Sequence, residues 1–240
     1  MRLKNWLILG LWLTIAAIVF NSCSKDDGYS LDKAWYSIAT VHPLSSNSFW
    51  LSLDDGTTLW PVASNIPWYQ PNEKKRAFAV YTLLSDKYYG YNHAIKVLDL
   101  KSILTKSISE NLGSTNNSIY GTDSVKISDM WIGDGFLNIV FEFNYGGNVV
   151  HFINLVERND MNTPFFFEFR HNAYDDEVRY RRKGIVCFDL STIDTNGEEV
   201  VLSILVNTFE GEKIYSIKYS SGSPDAGSHN YSMEDFVETK

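Results

Sequence analysis

The residue types that do chemistry are present but scattered. The five histidines, His42, His93, His151, His171 and His229, include no pair at i+2, i+3 or i+4, so no local metal motif exists. Carboxylates cluster at Asp26-Asp27, Asp54-Asp55, Asp175-Asp176-Glu177 and Glu198-Glu199, all in expected turns or a polar tether, where acidic residues are ordinary. Glycoside hydrolysis needs two carboxylates facing each other across a cleft, and nothing in these runs sets that up. No EF-hand loop, Gly-x-Ser-x-Gly elbow, phosphate loop or dinucleotide fingerprint occurs. Cys187 lies in Ile185-Val186-Cys187-Phe188, a buried-strand pattern that makes it a small core side chain rather than a nucleophile. Arg179-Tyr180-Arg181-Arg182-Lys183 reads as a strand with a wet basic face balanced by the preceding acids. The other use of such a cluster is to grip an anionic glycan or a phosphate. The reading therefore assigns no catalytic residue, no metal and no cofactor. The candidate binding residues are aromatic: Trp68 and Tyr69 between Pro67 and Pro71, and Tyr88, Tyr89 and Tyr91 around a turn. Large rings on stiff loops anchor peptides or sugars at little entropic cost; otherwise they close the ends of a barrel.

The elements that must carry these residues are strands. The chain has 240 residues, 44% apolar and 15% aromatic, ample for a buried core and leaning toward β-structure. Its 29 acidic residues exceed its 21 basic ones, a net charge of −8 that argues against nucleic acid as partner, since phosphate binding needs a cationic surface. Two cysteines exclude a disulfide framework.

The first 22 residues read as an address. Arg2 and Lys4 precede an apolar run from Trp6 to Phe20 interrupted only by Gly10 and Thr14, the pattern of a secretory signal peptide. As a helix this run is about 22 Å long, short of a bilayer core of roughly 30 Å. Cys23 follows behind Ser22 and resembles the lipidated cysteine of a bacterial lipobox. Acyl chains at about 0.8 kcal/mol per buried CH₂ would make such an anchor permanent. Ser24-Lys25-Asp26-Asp27 is similar to the acidic export signal of surface lipoproteins, which implies an outer-membrane protein displayed at the cell surface. Removal of residues 1–22 leaves 19 basic against 29 acidic residues, net −10, so the lipid rather than charge would hold the protein at a negative membrane.

After a tether over 23–34, period-two runs at 35–41, 48–53, 57–63, 76–84 and 93–99 predict a five-stranded, OB-like barrel domain over 35–112. Asp55-Gly56 predicts a two-residue hairpin that sets Leu51 opposite Trp60. Leu98–Thr105 is the best short helical candidate. The polar stretch Glu110–Ser118 marks a boundary. Beyond it, about seven runs predict an antiparallel β-sandwich over 119–236. Gly146-Gly147 predicts a second hairpin, which places Glu142 opposite His151. The fold class is all-β, a small OB-like barrel followed by an antiparallel β-sandwich.

The chain then resembles the NigD-like lipoproteins. The resemblance rests on the lipobox with Ser24–Asp27, the block closing with Ile103-Leu104-Thr105-Lys106, the run Met130-Trp131-Ile132-Gly133-Asp134-Gly135-Phe136-Leu137-Asn138-Ile139, and His151-Phe152-Ile153-Asn154-Leu155-Val156. It implies an N-terminal OB-type domain and a C-terminal sandwich, and the family's name implies a bacteriocin-immunity role. It carries over no catalytic residue. The expected function is a non-enzymatic, surface-exposed lipoprotein that binds a protein, peptide or glycan. The alternative is a structural accessory subunit of an outer-membrane assembly.

Overall fold

The computed structural model describes residues 29–158, 164–221, 231 and 236–240. The expected lipidation residue Cys23 and the expected export signal Ser24, Lys25, Asp26 and Asp27 lie outside them. Among the described residues no helix is long and apolar enough to cross a membrane.

Five strands make a closed barrel: β1 (Trp35–Ser45), β2 (Ser48–Leu53), β3 (Thr58–Ser64), β4 (Lys75–Tyr88) and β5 (Tyr91–Ser102), in the order β1-β2-β3-β5-β4. All neighbours are antiparallel except β3 and β5, and β1 closes on β4, so no edge is left to aggregate. Alternation drives it. Ala39, Val41, Phe49, Leu51, Leu59, Ala77, Ala79, Ile95 and Val97 point inward and form one apolar core. Bulges at Pro43, Pro61, Val80 and Leu83 let strands as long as β4 bend around it.

The second body has β6 (Leu104–Ser107), a short helix α1 (Asn116–Tyr120), β7 (Val125–Gly133), β8 (Phe136–Tyr145), β9 (Phe152–Glu157), β10 (Phe166–Asn172), β11 (Tyr180–Asp189), β12 (Val200–Thr208) and β13 (Gly211–Tyr219). One layer runs β6-β11-β8-β7; the other, β9-β10-β12-β13, joins it through the single pair Thr208–Val125. Phe141, Phe143, Phe169 and Phe188 interlock between the layers, with ring centroids 5.2 Å apart for Phe141–Phe169 and 6.3 Å for Phe169–Phe188. Offset and edge-on contacts of this kind add about 0.5–1.5 kcal/mol each beyond area burial.

Three local expectations change. Leu98–Thr105 is strand, not helix: it spans the end of β5 and the first half of β6. β6 pairs in parallel with β11, so these residues belong to ladders whose backbone partners lie far along the chain. The first hairpin is one residue out of the expected register. The Leu53 N–H donates to the Thr57 carbonyl at 2.9 Å and the Gly56 N–H to that of Leu53 at 3.0 Å, which makes a three-residue loop with Gly56 at φ +84°. Leu51 therefore faces Leu59, not Trp60. The second hairpin is absent. β8 pairs with β7 and β11 while β9 pairs with β10, so Gly146-Gly147 is a crossover between layers. Glu142 lies opposite Lys126 and Lys183 instead of His151. The Gly146 N–H donates to Asp176 Oδ2 at 2.6 Å, and that same oxygen accepts the Nε2–H of His151 at 3.0 Å.

Candidate functional site

The barrel's alternation puts a second set of side chains on its outside. On β1 these are Ile38, Thr40 and His42; on β2, Trp50 and Ser52; on β3, Trp60. Opposite pairing brings His42 against Trp50 across β1 and β2. Their rings stack at 3.8 Å with a 7° tilt. Tyr91, at the start of β5, lies 5.8 Å from the Trp50 ring and 4.8 Å from that of Trp60. The four rings thus form a row, His42–Trp50–Tyr91–Trp60, and every member is half-buried. Tyr88 pairs with Tyr91 across the β4–β5 turn, and its ring touches that of Tyr89 at 4.7 Å.

The row is pinned at one end by the sandwich. The β7–β8 turn presents Asp134, whose Oδ2 accepts the Ser52 hydroxyl at 2.6 Å. Because Ser52 gives its proton to this carboxylate, the 2.6 Å contact from His42 Nε2 to Ser52 Oγ must have the histidine as donor. His42 Nε2 therefore carries a proton. The proton runs the wrong way for a serine nucleophile activated by a histidine base, and Ser52 is only 4% exposed. Burial pushes the Asp134 carboxyl up, but hydrogen bonds from His42, Ser52 and Thr40 and the charge of Lys74 outweigh it and hold the group at about 2.

Behind the row, barrel and sandwich share a core. Ile38, Phe78 and Ile103 from the barrel side pack with Trp131, Phe136, Val140, Ile185 and Cys187. Arg76 is wholly buried here: its Nη1 donates to Thr40 Oγ1 at 2.9 Å and its Nη2 to Asp54 Oδ1 at 2.5 Å. The other Asp54 oxygen accepts Trp131 Nε1–H at 2.9 Å. Cys187 is fully buried, and desolvation raises its thiol to about 12, so it is an inert core side chain.

Of the sequence candidates, Tyr91 sits in the middle of the row, and Tyr88 and Tyr89 sit at its edge. Tyr89 stands 88% exposed with φ +46°. Trp68 is 74% exposed on its own loop. Tyr69 turns the other way, edge-on against Phe49 at 5.4 Å, and closes the end of the barrel core. His42, Trp50 and Trp60 were not among the candidates. Their signal is the alternation itself, and for Trp60 it is masked by the two-residue turn that sets it against Leu51. The basic cluster is occupied: Arg179 pairs with Glu177, Arg181 covers Phe209 at 4.0 Å and Arg182 covers Tyr180 at 5.1 Å. Two acidic turns are not ordinary solvated loops, since Asp54 and Asp176 are consumed by buried partners. Among the described residues, no group of three or more His, Cys, Asp or Glu is arranged to hold a metal ion.

Residues 38–103 match the family described as NigD-like N-terminal OB domain, and residues 107–219 the one described as NigD-like C-terminal beta sandwich domain. Among solved structures, a protein of Parabacteroides distasonis described as toxin-related is 48% identical, with 79% of this chain and 95% of that one covered and a TM-score of 0.74. A protein of unknown function from Bacteroides vulgatus is 26% identical over 87% of this chain and 100% of that one, with a TM-score of 0.68. A NigD-like immunity protein of Bacteroides caccae shares the fold at 20% identity, over 80% of this chain and 100% of that one, with a TM-score of 0.60. No curated protein matches the chain.

Proposed function

The chain belongs to the NigD-like family, and from that premise we propose that it is a lipid-anchored, surface-displayed binding protein with no enzymatic activity. In this reading Cys23 carries the acyl anchor, Ser24–Asp27 direct the protein to the outer face of the outer membrane, and the barrel presents the binding face. The observation that carries it is the row of half-buried rings on the outside of β1, β2, β3 and β5. Monomeric proteins rarely leave large rings contiguous at the surface without a use for them. Several described side chains of the types that serve catalysis are held by structural partners: Ser52 and His42 by Asp134, Asp54 by Arg76, Asp176 by His151. The family name and the immunity description of the Bacteroides caccae protein support protection against a bacteriocin as the biological role of that binding.

The test uses cells that lack the protein and are complemented with the full chain or variants. Cys23→Ser moves the protein out of the membrane fraction. Trp50→Ala with Trp60→Ala leaves it in the membrane but abolishes co-purification of its partner from solubilised outer membrane, and sensitivity to bacteriocins then equals that of the deletion strain. Retention of the same partner by the double variant overturns the binding face. Recovery of a fixed stoichiometric assembly regardless of the rings favours a structural subunit instead.

A further inference from the structure

We infer that the ring row His42–Trp50–Tyr91–Trp60 is a site for a neutral oligosaccharide; this rests on the binding face proposed above and names its ligand class. OB-type barrels bind ligands on the outer face of strands 2 and 3, and the ligands that suit this face are oligonucleotides and oligosaccharides. Both stack flat rings or flat C–H faces on aromatic side chains. Here β2 supplies Trp50 and β3 supplies Trp60, with Tyr91 of β5 between them.

Charge separates the two ligand classes. An oligonucleotide site needs lysines and arginines to replace phosphate counterions, and the whole chain carries net −8. A charged group stands at the end of the row: Asp134, 3.6 Å from His42 Nε2 and ionised above about pH 2. A carboxylate at one end of a stacking platform repels a phosphate chain. It leaves a neutral sugar unaffected.

The row also has the form that a pyranose needs rather than the form that a protein anchor needs. Protein hot spots insert a side chain into a desolvated pocket. These rings instead form a continuous, partly exposed row along the outside of the barrel. Polar groups flank them: Thr58, two residues before Trp60 and so on the same face of β3, is held by Asn92 Oδ1, which accepts both its N–H and its hydroxyl at 2.8 Å. Apolar faces between hydrogen-bonding edges match a sugar ring, which has C–H bonds on its faces and hydroxyls around its rim. Stacking of His42 on Trp50, with His42 fixed by Ser52 and Asp134, orders the platform before any ligand arrives, which lowers the entropic cost of binding.

Intrinsic tryptophan fluorescence and calorimetry on the full-length chain in detergent micelles test this, with neutral gluco-, manno- and galacto-hexaoses as probes and a dT oligonucleotide as the polyanion. At least one hexaose binds, with an affinity little changed by salt. Trp50→Ala, Trp60→Ala and Tyr91→Ala each weaken it about tenfold or more, the loss expected for one stacking ring, while Trp60→Phe keeps most of it. Urea midpoints confirm that each variant is folded; if an alanine variant is not, Trp60→Phe and a Trp50→Tyr variant carry the comparison. The inference is overturned if no hexaose binds, if binding survives loss of the rings, or if the dT oligonucleotide binds more tightly. If the double tryptophan variant loses its outer-membrane partner while no hexaose binds the native chain, the ligand class alone is wrong. If neither is affected by the rings, the binding face is wrong as well.

Discussion

Arg76 Nη2 and Asp54 Oδ1 stand 2.5 Å apart, the guanidinium wholly buried and the carboxylate nearly so, and this ion pair ties three elements together. Arg76 comes from β4, Asp54 from the β2–β3 turn, and the second oxygen of Asp54 is taken by Trp131 of β7 in the sandwich. Charges are expensive to bury and are tolerated only when fully paired, so the pair specifies how the two domains meet more than it adds net stability.

Asp54→Ala should therefore be far more damaging than removal of both partners. Leaving the Arg76 guanidinium buried and unpaired costs about 3–5 kcal/mol, whereas replacing the pair by apolar residues of similar volume, Asp54→Leu with Arg76→Met, costs little by comparison. Urea unfolding midpoints, with the m-value checked for constancy, measure both. A single variant that loses less than about 1 kcal/mol would show that the site admits water.

Gly133 is the residue that lets Asp54 in. A Cβ on it would stand 2.2 Å from Asp54 Cγ and 2.4 Å from each carboxylate oxygen. Gly133→Ala should destabilise by about 1–3 kcal/mol through overpacking. The effect should shrink in an Asp54→Ala background, because the clashing group is then gone. A double-mutant cycle reads that coupling, and strict additivity would refute the contact.

Stability should also fall with pH in two separate windows. His171 lies with Nε2 2.8 Å from His151 Nδ1 and its ring centroid 5.5 Å from that of Phe143, and burial, aided by the charge of His151, lowers it to about 4. A histidine kept neutral by the fold binds its proton more readily when unfolded. Its contribution is therefore whole above pH 6.5 and is lost as pH falls toward 4, up to about 3 kcal/mol. Asp134, held at about 2, contributes above its ordinary value near 3.8 and loses that contribution only between there and about 2. Equilibrium unfolding between pH 7.5 and 4.5 should show the first window in the native chain and a flatter slope in His171→Gln. Equal slopes would remove His171 as the cause.

How much of this was visible in the residues follows from what each signal encodes. Strand positions came through because period-two alternation is local: the runs at 48–53 and 136–143 became β2 and β8 within two residues. Pairing is not local. Gly146-Gly147 has the composition of a hairpin turn, yet the carboxylate that holds it, Asp176, is thirty residues downstream. Leu98–Thr105 looked helical because its spacing is short and mixed; its strand state is imposed by β4 and β11. Buried polar groups were the least legible. Asp54 and Arg76 have ordinary sequence neighbours, and only their meeting 22 residues apart makes them structural. The ring row needed the correct register of one hairpin, because a single residue of slip exchanges Trp60 with the core residue Leu59.

That exchange makes the last prediction sharp, because adjacent residues on β3 should behave oppositely. Leu59 is fully buried opposite Leu51 in the barrel core, and Trp60, next to it, is half-buried on the outside against Tyr91. Leu59→Ala opens a cavity in a core that cannot collapse around a closed barrel, at a cost of about 2–5 kcal/mol. Trp60→Ala forfeits an aromatic contact of about 0.5–1.5 kcal/mol and some surface packing, although tryptophan is the larger side chain. The order would reverse under the two-residue turn, in which Trp60 faces Leu51 across the core. Denaturant midpoints of the two single variants decide the register. A greater loss for Trp60→Ala than for Leu59→Ala would return tryptophan to the interior and dissolve the ring row with it.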